Sequence, residues 1–479
     1  MDKPQIIQGG MGVAISDWRL AGTVAARGQM GVVSGTGIAL ILAGRLAKGD
    51  PGGHMRRALA ACPLPGAAER ILARYLMTEA SAGPDDGRPL RRLPMWSEHP
   101  SPEIVELTVA ASFCEVWLAK GGARGPVGIN LLEKIQPPHL ATLYGAMLAG
   151  VDAMIIGAGV PLQVPTVLAA LAEHRAARYR LDVAGASGDD DFYLSFDPAS
   201  AWPGIAERVG SLRVPSFLPI ISSVVLAQTL LKRAGGPVDG FVVEAPIAGG
   251  HNAPPRGAMA LDEHGQPVYG PRDAVDLAKL RDLGVPFWLA GGYGGPGGLA
   301  RAQAEGAAGI QVGTAFAFCD ESGMAPHLRR QVIAAVRAGE VEVFTSPVAS
   351  PTGFPFKVVR LPGTLSDKAV YQARARICDL GYLRTPYKRP DGGMGFRCAA
   401  EPVDQYVAKG GDAADAEGRV CLCNALSGSA GFPQLQRDGA LEPAIVTSGD
   451  DLPSIARFLR DDREGYTAAD VIDALLAGR

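Results

Sequence analysis

The stretch DGFVVEAPIAGGHNAPPRG (residues 239–257) holds the repeating unit of the fold. Residues 240–245 form a continuous apolar run too short for a helix, which reads as a strand buried on both faces. Gly249 and Gly250 then lead to His251, on a loop stiffened by Pro254 and Pro255. Working outward, PRDAVDLAKLRDLG (271–284) has helical periodicity, and FWLAGGYGG (287–295) is again an apolar run closed by glycines. On the other side, SVVLAQTLLKRAG (223–235) is helical and follows an apolar run at 218–222. Buried strands alternating with amphipathic helices imply a parallel sheet covered by helices.

The same unit recurs along the chain. Apolar runs stand at 6–11, 30–34, 127–132, 153–157, 218–222, 241–245, 287–291 and 309–315. Eight such strands predict an α/β fold closed into a (β/α)8 TIM barrel. An open doubly wound sheet of eight strands is the competing arrangement. Two stretches break the alternation. Residues 37–119 carry several helical patterns and read as a helical insertion or an elaborated crossover, and 178–215 read as a loop or hairpin on one rim. The barrel pattern stops in the 340s. The expected division is a barrel of 1–36 and 120–340, the insertion of 37–119, and a cysteine-containing C-terminal extension of 341–479.

Bulk composition narrows the function classes. The 479 residues are 47% hydrophobic with a net charge of −3, enough apolar surface for a large core and no basic excess to hold nucleic acid. The apolar stretch at 145–171 is interrupted by Asp152 and Gln163, so no membrane span is expected. Seven cysteines and an N-terminus that leads directly into a strand fit a cytoplasmic protein. A homo-oligomer is left open.

In such barrels ligands sit at the carboxyl ends of the strands, with phosphate often held after strands seven and eight. LAGGYGGPGG (289–298) and GIQVGTAFAF (309–318) supply two suitable glycine-bearing loops, with Gly291, Gly292, Gln311, Gly313 and Thr314 at their hearts. GYGGPG (292–297) also fits the dinucleotide fingerprint G-x-G-x-x-G, with Asp320 downstream, which keeps a dinucleotide reading open. In IIQGGMG (6–12), Gly9 and Gly10 leave room for a flat ring against backbone. In VGINLL (127–132), the Asn130 amide can both donate and accept at a heteroaromatic edge. A flat ring, an amide, a phosphate cradle and a titratable histidine together describe a flavin site.

Taken in order, IIQGGMG, GINLL, EAPIAGGHNAPPRG, LAGGYGG and QVGTAF resemble the nitronate monooxygenase (2-nitropropane dioxygenase) family, which is related to FMN-dependent enoyl reductases. The resemblance covers roughly 1–36 and 120–325. It implies an FMN-binding TIM barrel with His251, in the A-G-G-H motif beside Gly249 and Gly250, as the active-site histidine. It further implies flavin contacts at Gln8, Gly9, Gly10, Met11 and Asn130, and phosphate-binding segments at Gly291, Gly292, Gln311, Gly313 and Thr314.

The expected activity is oxidation of alkyl nitronates with O2 to a carbonyl compound and nitrite. His251, with an ordinary near-neutral pKa, would serve as base or hydrogen-bond donor. The alternatives are an NAD(P)H-dependent enoyl or quinone reductase, and a non-enzymatic flavin-binding barrel with a docking or metal-binding tail. Glu244 is placed to hydrogen-bond His251 or line the pocket. In the extension, Cys378, Cys398, Cys421 and Cys423 either bind a metal or cluster, or are buried inert thiols; the spacing does not decide. Asp189, Asp190 and Asp191 read as a solvated loop. TSGDDLPSIARFL (447–459) reads as a helix start capped by Ser448 or Asp450, without functional weight.

Overall fold

The computed structural model describes residues 3–77 and 92–477. Eight strands form its central sheet: β1 (Ile6–Gln8), β2 (Gly31–Ser34), β3 (Val127–Leu132), β4 (Ala153–Gly157), β5 (Ser216–Ile221), β6 (Phe241–Glu244), β7 (Phe287–Ala290) and β8 (Gly309–Val312). All pairs are parallel and follow chain order, with β8 joined to β1 through the register Ile6↔Ile310. A parallel bridge between Ile7 and Met30 joins β1 to β2, through Gln8 N–H to Met30 O at 2.9 Å and Met30 N–H to Ile6 O at 3.0 Å. The sheet is therefore closed, which settles the choice between barrel and open sheet. The dinucleotide reading of GYGGPG falls with it, since that stretch is the turn after the seventh strand of a barrel and leads into the short helix Gly298–Ala304.

Side-chain alternation builds the two cores. Ile7, Val32, Ile155, Leu218, Val242 and Trp288 point inward and fill the barrel. Ile6, Val243, Phe287, Leu289 and Ile310 point outward, against the surrounding helices. The Trp288 indole N–H donates to Pro4 O at 2.7 Å.

Residues 37–119 contribute the helices Ile38–Ala47, His54–Ala61 and Ala67–Tyr75, and helix Pro102–Lys120 leads back to β3. Pro102 at the first helical position and Ser101, whose hydroxyl accepts from Ile104 N–H at 3.4 Å, start this last helix. It is buried on most sides because it lies between the helices Trp18–Ala26, Ile38–Ala47 and His139–Leu148. Arg45 ties the layer together: it pairs with Asp17, the cap of helix Trp18–Ala26, at 3.2 Å, and with Glu115. Residues 178–215 do hold a hairpin, Ala177–Arg180 against Tyr193–Phe196. Its loop is not simply solvated, because Asp190 pairs with Lys388 of the extension at 2.7 Å.

The extension contains the antiparallel hairpins Val343–Ser346/Phe356–Val359 and Thr385–Lys388/Met394–Arg397. Helix Leu422–Ser429 and a 3-10 helix at Leu452–Phe458 follow. The final helix, Ala468–Ala477, returns to the barrel wall, where Val471, Ile472 and Leu475 share a core with Leu20 and Val24. Among the described residues, no helix is long and apolar enough to cross a membrane.

Candidate active site

The carboxyl ends of the strands open into a cavity of 440 Å³, within the range of ~300–1,000 Å³ usual for small-molecule sites. Its floor and walls come from the barrel and its roof from the extension, through Phe354, Phe356, Tyr382, Leu422 and the segment Thr447, Ser448 and Gly449. The loop after β6 is held between two pieces of that roof. Lys357 N–H donates to Gly250 O and Asn252 N–H to Pro355 O, both at 2.9 Å. From the other side, Gly250 N–H donates to Thr447 Oγ1 and Asp450 N–H to Ile247 O, both at 3.0 Å. A Cβ on Gly249 would stand 2.8 Å from Gly449 N, so the approach of the two segments requires glycine there.

Twelve of the expected residues line this cavity: Gly9, Gly10, Met11, Asn130, Gly249, Gly250, His251, Gly291, Gly292, Gln311, Gly313 and Thr314. Gln8 does not. It is fully buried, and its amide is used within the barrel: Oε1 accepts from Val32 N–H at 3.0 Å, and Nε2 donates to Ser16 Oγ at 2.8 Å and to Gly9 O. The flavin contact expected of Gln8 is therefore corrected to a brace that holds β2 and the β1 loop.

His251 also departs from expectation. Its Nε2 lies 2.7 Å from Ser350 Oγ, and its ring meets Phe356 edge-on at 4.8 Å. Burial, reinforced by the positive charge of Lys134, pushes its pKa well below the ordinary histidine value, so the imidazole is neutral at physiological pH. Glu244 lines the cavity without bonding His251; burial raises its pKa to about 7, and Lys134 is the main opposing influence.

At the ring end, the site fits a flat heteroaromatic group. A Cβ on Gly10 would lie 2.2 Å from Asn130 Cβ and 2.9 Å from Val32, so the bare backbone forms a shelf beside the Asn130 amide. The buried Gln311 Oε1 has no hydrogen-bond partner, an acceptor open to a ligand donor. The end of the cavity at Gly313 and Thr314 holds a carboxylate that the sequence reading did not anticipate. Thr314 Oγ1 donates to Asp451 Oδ1 at 2.6 Å and accepts from Gly449 N–H at 3.2 Å. Burial raises the Asp451 pKa against the opposing pull of the Thr314 hydrogen bond and, more weakly, of Arg457, whose guanidinium bonds Gly294 O. An acid held high in this way is more readily neutralised beside an anion.

Sequence reasoning also missed Lys134, Ser350 and the Thr447–Gly449 roof. Lys134 stands two residues beyond β3, on the ligand-bearing rim, and that position was a usable signal. For 447–459, the structure overturns the capping assignment. Asp451, not Ser448 or Asp450, is the residue before the 3-10 helix, Ser448 Oγ has no partner, and Asp450 pairs with Lys357.

The four thiols of the extension meet in one place: Cys398 and Cys421 are buried together, with Cys378 and Cys423 packed against them. Cys378 and Cys398 are hydrogen-bonded, which lowers the first thiol and raises the second. Among the described residues, no group of three or more His, Cys, Asp or Glu side chains is arranged to hold a metal ion.

Comparison with known proteins follows the same lines. The family model for nitronate monooxygenase matches residues 213–351, which carry β5 to β8, the His251 loop and both glycine loops. No curated protein matches the chain. Solved structures similar to it include FabK from Thermotoga maritima, at 15% identity and TM-score 0.45 over 100% of this chain and 93% of that one. A nitroalkane oxidase from Streptomyces ansochromogenes is 14% identical, with TM-score 0.48 over 99% and 95%. The enoyl reductase domain of MlnA from Bacillus amyloliquefaciens is 13% identical, with TM-score 0.47 over 99% and 92%. The barrel itself rests on the strand pairing and not on these likenesses. Over β5 to β8 the chain is similar to nitronate monooxygenases, and that similarity marks it as an oxidoreductase enzyme.

Proposed function

We propose that the protein is an FMN-dependent oxidoreductase that oxidises alkyl nitronates with O2 to a carbonyl compound and nitrite. The observation that carries this reading is the neutral, half-buried His251 in a family-matched loop, facing a cavity whose glycine shelf and unpartnered Gln311 suit a flavin ring. FMN, when bound, supplies the electron acceptor, a chemistry that side chains lack. The shelf at Gly9 and Gly10 and the amides of Asn130 and Gln311 would hold its ring. The loops at Gly291–Gly292 and Gly313–Thr314 would hold its phosphate.

The chain's own residues favour a substrate that is already an anion. An imidazole whose pKa is pushed well down is a poor base for taking a carbon-bound proton from a neutral nitroalkane. It remains a good hydrogen-bond donor toward charged nitro oxygens, with Nε2 held by Ser350 and the ring fixed by Phe356. The roof of Phe354, Phe356 and Leu422 shields the reacting centre from water, which strengthens such bonds.

Steady-state oxygen uptake and nitrite release with propyl nitronate test the proposal on FMN-loaded protein. Both are expected with the nitronate, at several-fold lower rates with the parent nitroalkane. Oxidation of NADH by an enoyl thioester or a quinone, with no response to nitronate, would replace this reading by the reductase.

A further inference from the structure

We propose that Lys134 is the anion-recognition residue of this site, its ammonium receiving the charged oxygens of a small planar oxyanion, a nitronate or an isosteric carboxylate. The inference rests on the proposed nitronate chemistry and deepens it by naming what holds the substrate's charge.

The first observation is a missing partner. Lys134 Nζ is buried and has no hydrogen-bond acceptor; it lies 4.1 Å from the centroid of the Phe354 ring. An ammonium carries three donors, and burying it unpaired is costly. Another lysine of this chain shows how the fold satisfies such a group. Lys357 Nζ, itself buried, donates to both Asp450 carboxylate oxygens at 2.7 and 2.8 Å and to Thr345 Oγ1 at 2.8 Å. The aromatic face beneath Lys134 is a weak substitute.

The second observation is placement. Lys134 follows β3, and β3 is four strands from β7 in a closed ring of eight, so it lies across the mouth from the Gly291–Gly292 loop. It is therefore not a ligand for the cofactor phosphate. It shares the cavity with Glu244 and His251 at the end of β6 and on its loop, where the substrate would react. Arg256, the other lining cation, is exposed and bonds Ser222 O.

The charge balance gives the proposal a second handle. Lys134 faces Glu244 and His251, and Glu244 faces Lys134 and the Tyr269 phenol. Burial lowers the Lys134 pKa to about 7 and raises that of Glu244 to about 7. An anion seated on the Lys134 ammonium takes over the role of the Glu244 carboxylate, which then binds a proton. The favoured complex holds Lys134 charged and Glu244 neutral, so affinity falls as pH rises through about 7.

The experiment measures propionate binding to the full-length protein by calorimetry, with and without FMN, and by perturbation of the flavin spectrum. Lys134→Met is expected to weaken propionate about tenfold or more, while FMN content is unchanged and Lys134→Arg recovers most of the affinity. In the unsubstituted protein, binding should weaken by roughly a hundredfold between pH 6 and pH 8, about tenfold for each of the two groups. Wild-type affinity in Lys134→Met would overturn the assignment. If that variant does not fold, a flat pH dependence in the unsubstituted protein would overturn it instead. Failure to bind FMN would strike the proposed function alone, because calorimetry on the cofactor-free protein still reads Lys134.

Discussion

At the scale of single residues, Gly10, Lys134 and Glu244 carry the clearest expectations. Gly10→Ala forces a Cβ to within 2.2 Å of Asn130 and 2.9 Å of Val32, and overpacking of this kind costs about 1–3 kcal/mol. The variant should melt several degrees lower and retain less FMN after reconstitution; melting curves and the flavin absorbance of the desalted protein check both. Lys134 and Glu244 make the opposite case. Among the described residues the two form no close ion pair, so replacing both by Met and Gln removes two poorly solvated charges and should stabilise the fold while abolishing propionate binding. Chemical denaturation of Lys134→Met/Glu244→Gln near neutral pH would show the gain. The sign with pH follows from the Lys134 shift. Its folded pKa of about 7 lies below the ordinary lysine value, so the unfolded chain binds more protons above pH 7 and the cost of burying this lysine is relieved as pH rises further.

These residues differed in how far the sequence disclosed them. Gly9, Gly10, Asn130 and His251 were legible because each lies in or just after an apolar strand run, on the side where such barrels bind ligands. Gln8 was misassigned because one-dimensional spacing cannot tell an amide facing the cavity from one consumed by Val32 N–H and Ser16 Oγ. The depressed basicity of His251 was not legible, since it comes from burial beneath residues a hundred positions away.

At the scale of elements, the extension is the roof of the site. The hairpin Val343–Ser346/Phe356–Val359 and the segment 447–451 grip the β6 loop from opposite sides, and Lys357 locks one to the other through Asp450. Lys357→Met removes charge-assisted bonds worth about 1.5–3 kcal/mol, reduced somewhat because Asp450 is partly exposed. Thermal melting should reveal the loss, and FMN should dissociate faster because the two segments that grip the Gly250 loop are no longer tied to each other through Asp450. Unchanged FMN retention would mean the roof does not secure the cofactor. The barrel strands were readable from their apolar runs, but the roof was not. Its contacts join positions far apart in sequence, and its short irregular elements lack the periodicity that reveals secondary structure. The same holds for Cys378, Cys398, Cys421 and Cys423, whose spacing matched no familiar motif although the fold gathers them.

At the scale of the whole molecule, a ring of eight parallel strands places a glycine shelf, a lysine with an unpartnered ammonium and two glycine loops around one mouth, and the chain's own C-terminal third covers it. On the proposed reading, this covered mouth passes electrons from a nitronate to FMN. The most direct test is the visible spectrum of the FMN-reconstituted protein, recorded without oxygen before and after adding propyl nitronate. Bleaching of the flavin band by the nitronate, and its return when air is admitted, are the results expected on that reading. A flavin band untouched by nitronate but bleached by NADH, or no flavin retained at all, would contradict it.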